Sequence, residues 1–543
     1  MIPKMMKTNT PEKENKEKIT CFLFAVMTLL FIAVSGILSA ISLRYFSRFP
    51  EDYNEGFVNS TPDSPVINIL VLLVLIVVGF CLKLIWDKIR ISRRTEEIIV
   101  AVYCLAFFAL FCLIVYKFRV VPVCDQMQIV VDARLFRQGN YEDMRGYLNT
   151  YQQQFGLLFF EELLMNITED YRLFQYLNAL LGAGILYAIY HITALLFPHK
   201  KTRVYALLLV SAFAPVYFYI NFVYGEIPSL AFSLFAIWAL IAGFKKYDAT
   251  KQKKYFFLFI PAVLSFIIAY IVRESMVILS IAIAIALIFY AIRARSGRSF
   301  ISLALIPVFI FLPMLASTGI KQYYQHKSGI TLTPPHPYIG IITMGLQETD
   351  RGNGFYNGYP AIVFDYQAGQ DVEKAKEIYL RDLNDRLEEM KASPEETRLF
   401  FKLKIMQQWN ETTYNSVVNT HTFDGEPGPT VQKIYSAEYG NAILNYCNRY
   451  GFVLYALLHI FGIWKLYSCI AFLINKKNMP SVWDALFVAY VIGGFLFSLI
   501  WEAKPRYVLP YVLFAIPLAA ASLSGISTAL TKLIPHKNSH KDS

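Results

Sequence analysis

Four polar groups stand at the ends of long apolar runs, and their types allow acid–base and phosphate chemistry. Asp125 follows the run at 98–116 and opens a polar and aromatic stretch, 120–162. Glu226 sits in the short turn Tyr224-Gly225-Glu226-Ile227-Pro228. Arg273-Glu274 alone separates two further runs, and Glu502-Ala503-Lys504-Pro505-Arg506 separates the last two. Ionisable side chains at membrane depth are costly and mark function more often than ordinary surface charges do. A carboxylate there can take a proton from a hydroxyl. Arginine can grip a phosphate with two parallel hydrogen bonds.

Each group also has a plainer reading. Asp125 can simply begin an interfacial helix, and Glu226 can be a solvated turn residue. Arg273 and Glu274 can pair with each other for little energy. Arg506 and Lys504 can reach lipid headgroups as anchors, and the tyrosines can form an interfacial belt.

The chemistry that fits the set best is sugar transfer from a lipid-phosphate donor. Asp125 is then the general base, with Glu226 as a second carboxylate for the base network or the acceptor. Arg273, Arg506 and Lys504 are candidate ligands of the departing phosphate. Gln126, Tyr151, Gln154, Glu274, Tyr356, Asn357 and Glu502 are candidate substrate contacts. No motif demands a cofactor; a divalent cation, Mg or Mn, stays open, with Asp125 and Glu226 as its only candidate ligands.

These residues must be placed by membrane helices. The 543 residues are 56% hydrophobic and 17% charged, against roughly 25% charged in a soluble domain. Twelve runs have the length that crosses about 30 Å of hydrocarbon. They lie at 20–42, 65–86, 98–116, 173–197, 204–223, 229–244, 255–272, 275–292, 299–320, 450–474, 481–501 and 507–530. The expected fold is an all-α polytopic membrane protein. The net charge of +11 gathers in alternate loops, as the positive-inside rule requires. No basic face is left for nucleic acid. Both termini are then cytoplasmic, and the four polar groups lie together outside.

The expected division is a cytoplasmic tail (1–19), two additional N-terminal spans (20–97) and a catalytic transmembrane core (98–320) with an external loop at 117–172. An extracytoplasmic segment (321–448), three C-terminal spans (449–531) and a cytoplasmic tail (532–543) follow. Residues 157–165 are apolar but too short to span, and are expected to lie along the interface. The long segment should hold helices at 372–390 and from Ser393, where Ser393-Pro394-Glu395-Glu396 reads as a capping box. A tight turn is expected at 354–358. Asn59, Asn166 and Asn410 head weak N-glycosylation patterns. Among seven cysteines no metal spacing appears, and Cys124 and Cys447 read as unrelated thiols rather than a pair.

Several stretches together carry a family resemblance: CDQMQIVVDARLFRQGNY with YLNTYQQQFGLLFFEELL, NFVYGEIPSLAF, IVRESMVIL, ITMGLQETDRGNGFYNGY and WEAKPRYVLPY. Across 98–530 the chain resembles bacterial GT-C class membrane glycosyltransferases, of the protein mannosyltransferase-like and aminoarabinose transferase-like group. The resemblance implies a polyprenyl-phosphate-linked sugar donor entering from the bilayer and inversion at the anomeric carbon. It also implies a catalytic acid in the first large external loop, which falls on Asp125. Gln126 stands where some relatives carry a second acid. The implied acceptor is a cell-envelope glycan, lipid or teichoic-acid-like polymer. A lipid-linked saccharide flippase or secondary transporter, and a polysaccharide polymerase or ligase, are the alternative readings.

Overall fold

The computed structural model describes residues 11–49, 58–89, 91–294, 296–475 and 480–533. Lys4, Lys7, the acidic residues Glu51, Asp52 and Glu55, Arg90, Arg295, Lys476, Lys477 and the tail from 534 lie outside these residues. The protein is an all-α polytopic membrane protein. Its described sheet is one hairpin, Tyr45–Arg48 with Asn59–Pro62.

The first helices are α1 (Pro11–Arg44), α2 (Pro65–Lys88), α3 (Arg93–Phe118) and α4 (Asp125–Arg137). One-turn α5 (Tyr147–Thr150), α6 (Phe155–Leu164), α7 (Arg172–Leu196), α8 (Lys200–Ser211), α9 (Pro215–Tyr219) and α10 (Glu226–Thr250) follow. Next come α11 (Phe259–Val272), α12 (Val277–Arg293) and α13 (Ser296–Ser328). The long segment carries α14 (Tyr338–Gly345), short α15 (Tyr359–Ala361), α16 (Val372–Ala392), α17 (Pro394–Trp409) and α18 (Pro429–Ile434). The chain closes with α19 (Ala437–Asn475), α20 (Asp484–Ile500) and α21 (Leu509–Leu533).

Eleven of the twelve expected runs are continuous helices; the fifth is not. Among the described residues ten helices are long and apolar enough to cross a membrane, and α20 is a shorter apolar helix. The fifth run is broken into α8 and α9. Pro215 has no N–H to continue the ladder. The hydroxyls of Tyr217 and Tyr446 instead donate to the carbonyls of Ser211 and Ala212, each at 2.5 Å. The carbonyls at the break are thus satisfied without helix.

Two expected boundaries are corrected. α13 runs eight residues past 320, and α19 begins thirteen residues before 450. At 1.5 Å per residue they reach about 50 and 58 Å, well beyond the hydrocarbon. α10, α12, α20 and α21 form the buried centre. α2 instead presents Val66, Ile69, Leu73, Val74 and Val77 on its outside, an apolar surface suited to lipid. α1 packs along α19, and α2 along α21.

Helix α6 is the larger correction. It is wedged against α4, α11 and α13 rather than lying on an open interface. Phe155, Leu157 and Leu158 are wholly buried. Glu162 accepts from Tyr324, and Lys327 lies 3.1 Å away, which anchors α6 to α13. A Cβ built on Gly156 would come within 1.8 Å of the Ile271 carbonyl, two residues before Arg273. Only glycine allows that approach.

In the long segment between α13 and α19, α16 and α17 form close to where they are expected. Asp371 caps α16 by accepting from Glu373 N and Lys374 N at 2.9 and 3.0 Å. The Ser393 side chain makes no such bond. Thr397 donates instead to Met390 O at 2.7 Å, joining the two helices. Asn410 is buried and donates to Tyr45 O and Ser47 Oγ, so it pins the hairpin. Cys124 and Cys447 are both free.

Gly156→Ala is expected to cost about 2 kcal/mol, the usual scale of overpacking, read as a lower melting temperature in detergent. Gly319→Ala, where nothing lies within 4 Å, serves as control and should match or exceed wild type. A second test concerns Asp132 on α4, which is buried and bonded by Gln128 at 3.2 Å. Burial first, and then the facing Asp143 carboxyl, push it up to about 7. The folded chain therefore holds a proton there that the unfolded chain releases, so this group's contribution falls as pH rises toward 7. Asp132→Asn removes that term, and its stability relative to wild type should grow between about pH 4 and pH 7. A gap independent of pH would contradict the buried acid.

Candidate active site

Asp125 is placed by a turn that ordinary residues enter only when the surroundings hold it. Arg119 and Cys124 both have positive φ, 54° and 50°. The segment between them is tied to the loop after α17 by Val121 N donating to Thr422 O at 2.9 Å. α4 then begins at Asp125, so its carboxylate stands at a helix N-terminus, where negative charge is stabilised. The side chain is 47% exposed, and its Oδ2 lies 4.0 Å from Arg506 Nη2.

Gln126 points the other way. Its Oε1 accepts from Val223 N at 3.0 Å and its Nε2 donates to Asn419 O at 3.4 Å. Buried on two backbone partners, it braces Asp125's helix against two loops and is not presented to a substrate.

Glu226 begins α10, and Arg273 sits extended between α11 and a short turn at Glu274–Met276. Gly225 lets the two loops meet, because a Cβ there would lie 2.7 Å from Val272 O. Glu226 Oε1 is 2.9 Å from Arg273 Nη1, with side-chain exposures of 1% and 12%. The second carboxylate's partner is therefore Arg273 rather than Asp125. The contact is an ion pair rather than an aligned hydrogen bond, since Glu226 Oε2 and Arg273 Nη1 are both buried without one.

Tyr507 joins the two arginines. The Arg273 and Arg506 guanidiniums lie 5.7 and 5.6 Å from its ring centre, and Arg506 lies 5.4 Å from the Tyr224 ring. Such cation–ring contacts hold guanidiniums in place without using their hydrogens. Tyr507 donates to Glu502 at 3.1 Å, and Glu502 pairs with Lys504 at 3.4 Å. Lys504 in turn lies over Phe355.

The aromatic wall comes from the stretch after Asp125. Gln154 donates to the Tyr224 hydroxyl, and the Tyr151 and Tyr356 hydroxyls are 2.9 Å apart. Burial pushes the Tyr147, Tyr151 and Tyr224 phenols up, so they remain protonated donors. Asn357 is occupied within its own loop, donating to Gln347 and accepting from Tyr359 N. Glu274 faces α13, where Ser317 and Lys321 hold it at 2.5 and 3.2 Å. It joins none of these contacts.

Tyr224, Tyr507 and Lys404 belong to the arrangement but were not singled out from the sequence. Tyr507 adjoins Arg506 and Tyr224 lies two residues before Glu226, and that proximity is a usable signal. Lys404 gave none, since it lies on α17 among other charged residues. It is wholly buried, and its ammonium donates to Gly345 O and to Trp501 O at 2.8 Å. Burial lowers it to about 7. It locks the loop that carries Phe355 and Tyr356 to the segment that carries Glu502 and Arg506.

The donor set suits a divalent cation poorly. Glu226 is matched to Arg273, and Asp125 faces Arg506. Among the described residues no group of three or more His, Cys, Asp or Glu gathers. Carboxylates already facing guanidiniums offer a dication little net charge.

Comparison with known proteins adds the following. A solved structure of the archaeal oligosaccharyltransferase AglB from Archaeoglobus fulgidus, in complex with an inhibitory peptide and a dolichol-phosphate, aligns over 80% of this chain with 14% identity and a TM-score of 0.40. The Archaeoglobus fulgidus oligosaccharyltransferase in the apo form aligns over 80% with 13% identity and a TM-score of 0.39. This chain spans 52% of each of those chains. No curated protein matches it. A family model described as a conserved hypothetical integral membrane protein matches residues 13–525. The chain therefore belongs to that family of integral membrane proteins.

Proposed function

We propose that this protein is a membrane glycosyltransferase that moves a sugar from a polyprenyl-phosphate donor to a cell-envelope acceptor: a glycan, a lipid or a teichoic-acid-like polymer. The observation that carries this reading is a half-exposed carboxylate, Asp125, facing an arginine that shares one tyrosine ring with a second arginine. A base and an anion clamp at the ends of apolar helices are what transfer from a lipid phosphate needs.

In this mechanism Asp125 takes the proton of the acceptor hydroxyl as its oxygen attacks the anomeric carbon. The bond from that carbon to the phosphate oxygen breaks with its electron pair on the phosphate. Arg506 and Arg273 hold the departing lipid phosphate, so charge that develops in the transition state meets fixed cations. Attack opposite the leaving group inverts the anomeric centre. Glu226 orients Arg273, and the paired Tyr151 and Tyr356 offer an aromatic face to the sugar. The donor enters from the bilayer, the site faces the extracytoplasmic side, and both termini lie in the cytoplasm.

The test uses purified protein in lipid, a panel of radiolabelled polyprenyl-phosphate sugars and envelope extracts. Incorporation of sugar into an acceptor is expected. Translocation of the lipid-linked sugar without incorporation would replace this reading by a transporter. A requirement for lipid-diphosphate oligosaccharides would replace it by a polymerase or ligase. Asp125→Asn should fold and express normally yet lower kcat by roughly 10²–10⁴, the range of a lost general base; wild-type transfer by this variant would refute the role of Asp125. Arg506→Lys keeps the charge but loses the fork, and kcat/KM for the donor should fall roughly tenfold or more.

Cations at this site come from arginines in the proposed mechanism, so transfer should persist in EDTA. Loss of activity on chelation, restored by Mg or Mn, would show that the carboxylates bind metal after all.

A further inference from the structure

A second ligand site lies outside the arginine cluster. Between the last turn of α3, the α8–α9 break, α18 and the first turns of α19 is a cavity of about 540 Å³, within the size range of small-molecule sites. Ala212, Ala214 and Ala442 leave its floor low, and Phe118, Phe218 and Tyr446 are among its walls. Three of its polar lining groups, Ser211, Tyr217 and Tyr446, are already engaged. Tyr446 and Tyr217 donate to the carbonyls of the helix break, and Ser211 donates to Leu207 O. Apart from these and Tyr439 the lining is Ile, Phe and Ala, so hydrocarbon is the matching filler.

The cavity is also graded in polarity. Phe118 ends α3 directly after Lys117, so this side lies at the water end of a span, while Ile114 lies a turn deeper. At the same end Ile434 follows Lys433, whose ammonium lies 4.4 Å from the Tyr439 ring centre. Nearby Arg119 is already held by Asp424 at 2.8 Å. An apolar furrow with an exposed lysine at its rim has the pattern of an amphiphile with an anionic head. The outside of α2 around Ile69 is aliphatic instead, with Val66, Ile69, Leu73 and Val77 exposed.

We propose that this furrow binds one anionic phospholipid, with a hydrocarbon chain between α3, α9 and α19 and its phosphate against Lys433. The break in the fifth run creates the furrow, since an unbroken helix would not leave the 212–214 segment as its floor. Occupancy by lipid does not depend on sugar transfer, so its readout is binding rather than turnover.

The experiment is native mass spectrometry of the full chain, purified in detergent with equal phosphatidylglycerol and phosphatidylcholine. Wild type should retain one phosphatidylglycerol in preference to phosphatidylcholine. Ala442→Trp, an exposed position that fills the furrow, should lose it. Lys433→Gln, a surface change with little effect on folding, should lower phosphatidylglycerol retention roughly fivefold, the weight of one lysine near an anionic headgroup. Ile69→Trp on the outside of α2 should leave retention as in wild type. Equal retention of the two lipids by wild type would overturn the proposal. So would undiminished phosphatidylglycerol on Lys433→Gln or on correctly folded Ala442→Trp.

Discussion

The site depends on one buried ion pair. Glu226 and Arg273 meet 2.9 Å apart at the ends of two helices, both largely removed from water. Taking such charges out of water costs several kcal/mol each, and their attraction only offsets this when the geometry is good. Here the geometry is enforced from the backbone. Gly225 and Gly156 bring neighbouring chain onto the carbonyls of Val272 and Ile271, so Arg273 is delivered from a fixed point. A pair that stabilises so little for its own sake has another use, which is to keep a guanidinium oriented at the membrane edge. Tyr507 extends that order to Arg506, and Arg506 extends it to Asp125.

The legible parts of the fold were those written in hydropathy. Eleven of the twelve apolar runs became continuous helices, and the run at 98–116 delivered Asp125 to the site. Short loops also spoke clearly, because Glu226 and Arg506 had little freedom to be elsewhere. What the pattern could not show was direction. Arg273 and Glu274 are adjacent, yet one faces the arginine cluster and the other faces α13. Gln126 lies next to the proposed base but turns into backbone contacts. Those outcomes follow from where neighbouring helices pass, which no local spacing encodes.

Other misreadings have the same origin. An apolar stretch as short as 157–165 is equally suited to a membrane surface and to a wedge between helices. Gly156 decided for the wedge through a contact 115 residues away in sequence. The overruns of α13 and α19 arise because hydropathy marks where hydrocarbon ends, whereas helices stop where their backbone is capped or turned. The serine before α17 had the sequence of a cap but not its backbone conformation, and Thr397 made the useful bond instead.

Lys404 behaves as a rivet through two plates. A neutral amine carries two hydrogens, and the two carbonyls it meets, at Gly345 and Trp501, accept one each. Gaining a proton adds a third donor without removing either bond. The joint therefore holds on both sides of a titration near neutrality. Next to it, Ala503 N donates to Gly354 O at 2.8 Å, which seams the same two segments a second time. The loop bearing Phe355 and Tyr356 is thus fastened down to the end of α20. It forms a fixed wall of the site rather than a hinged cover.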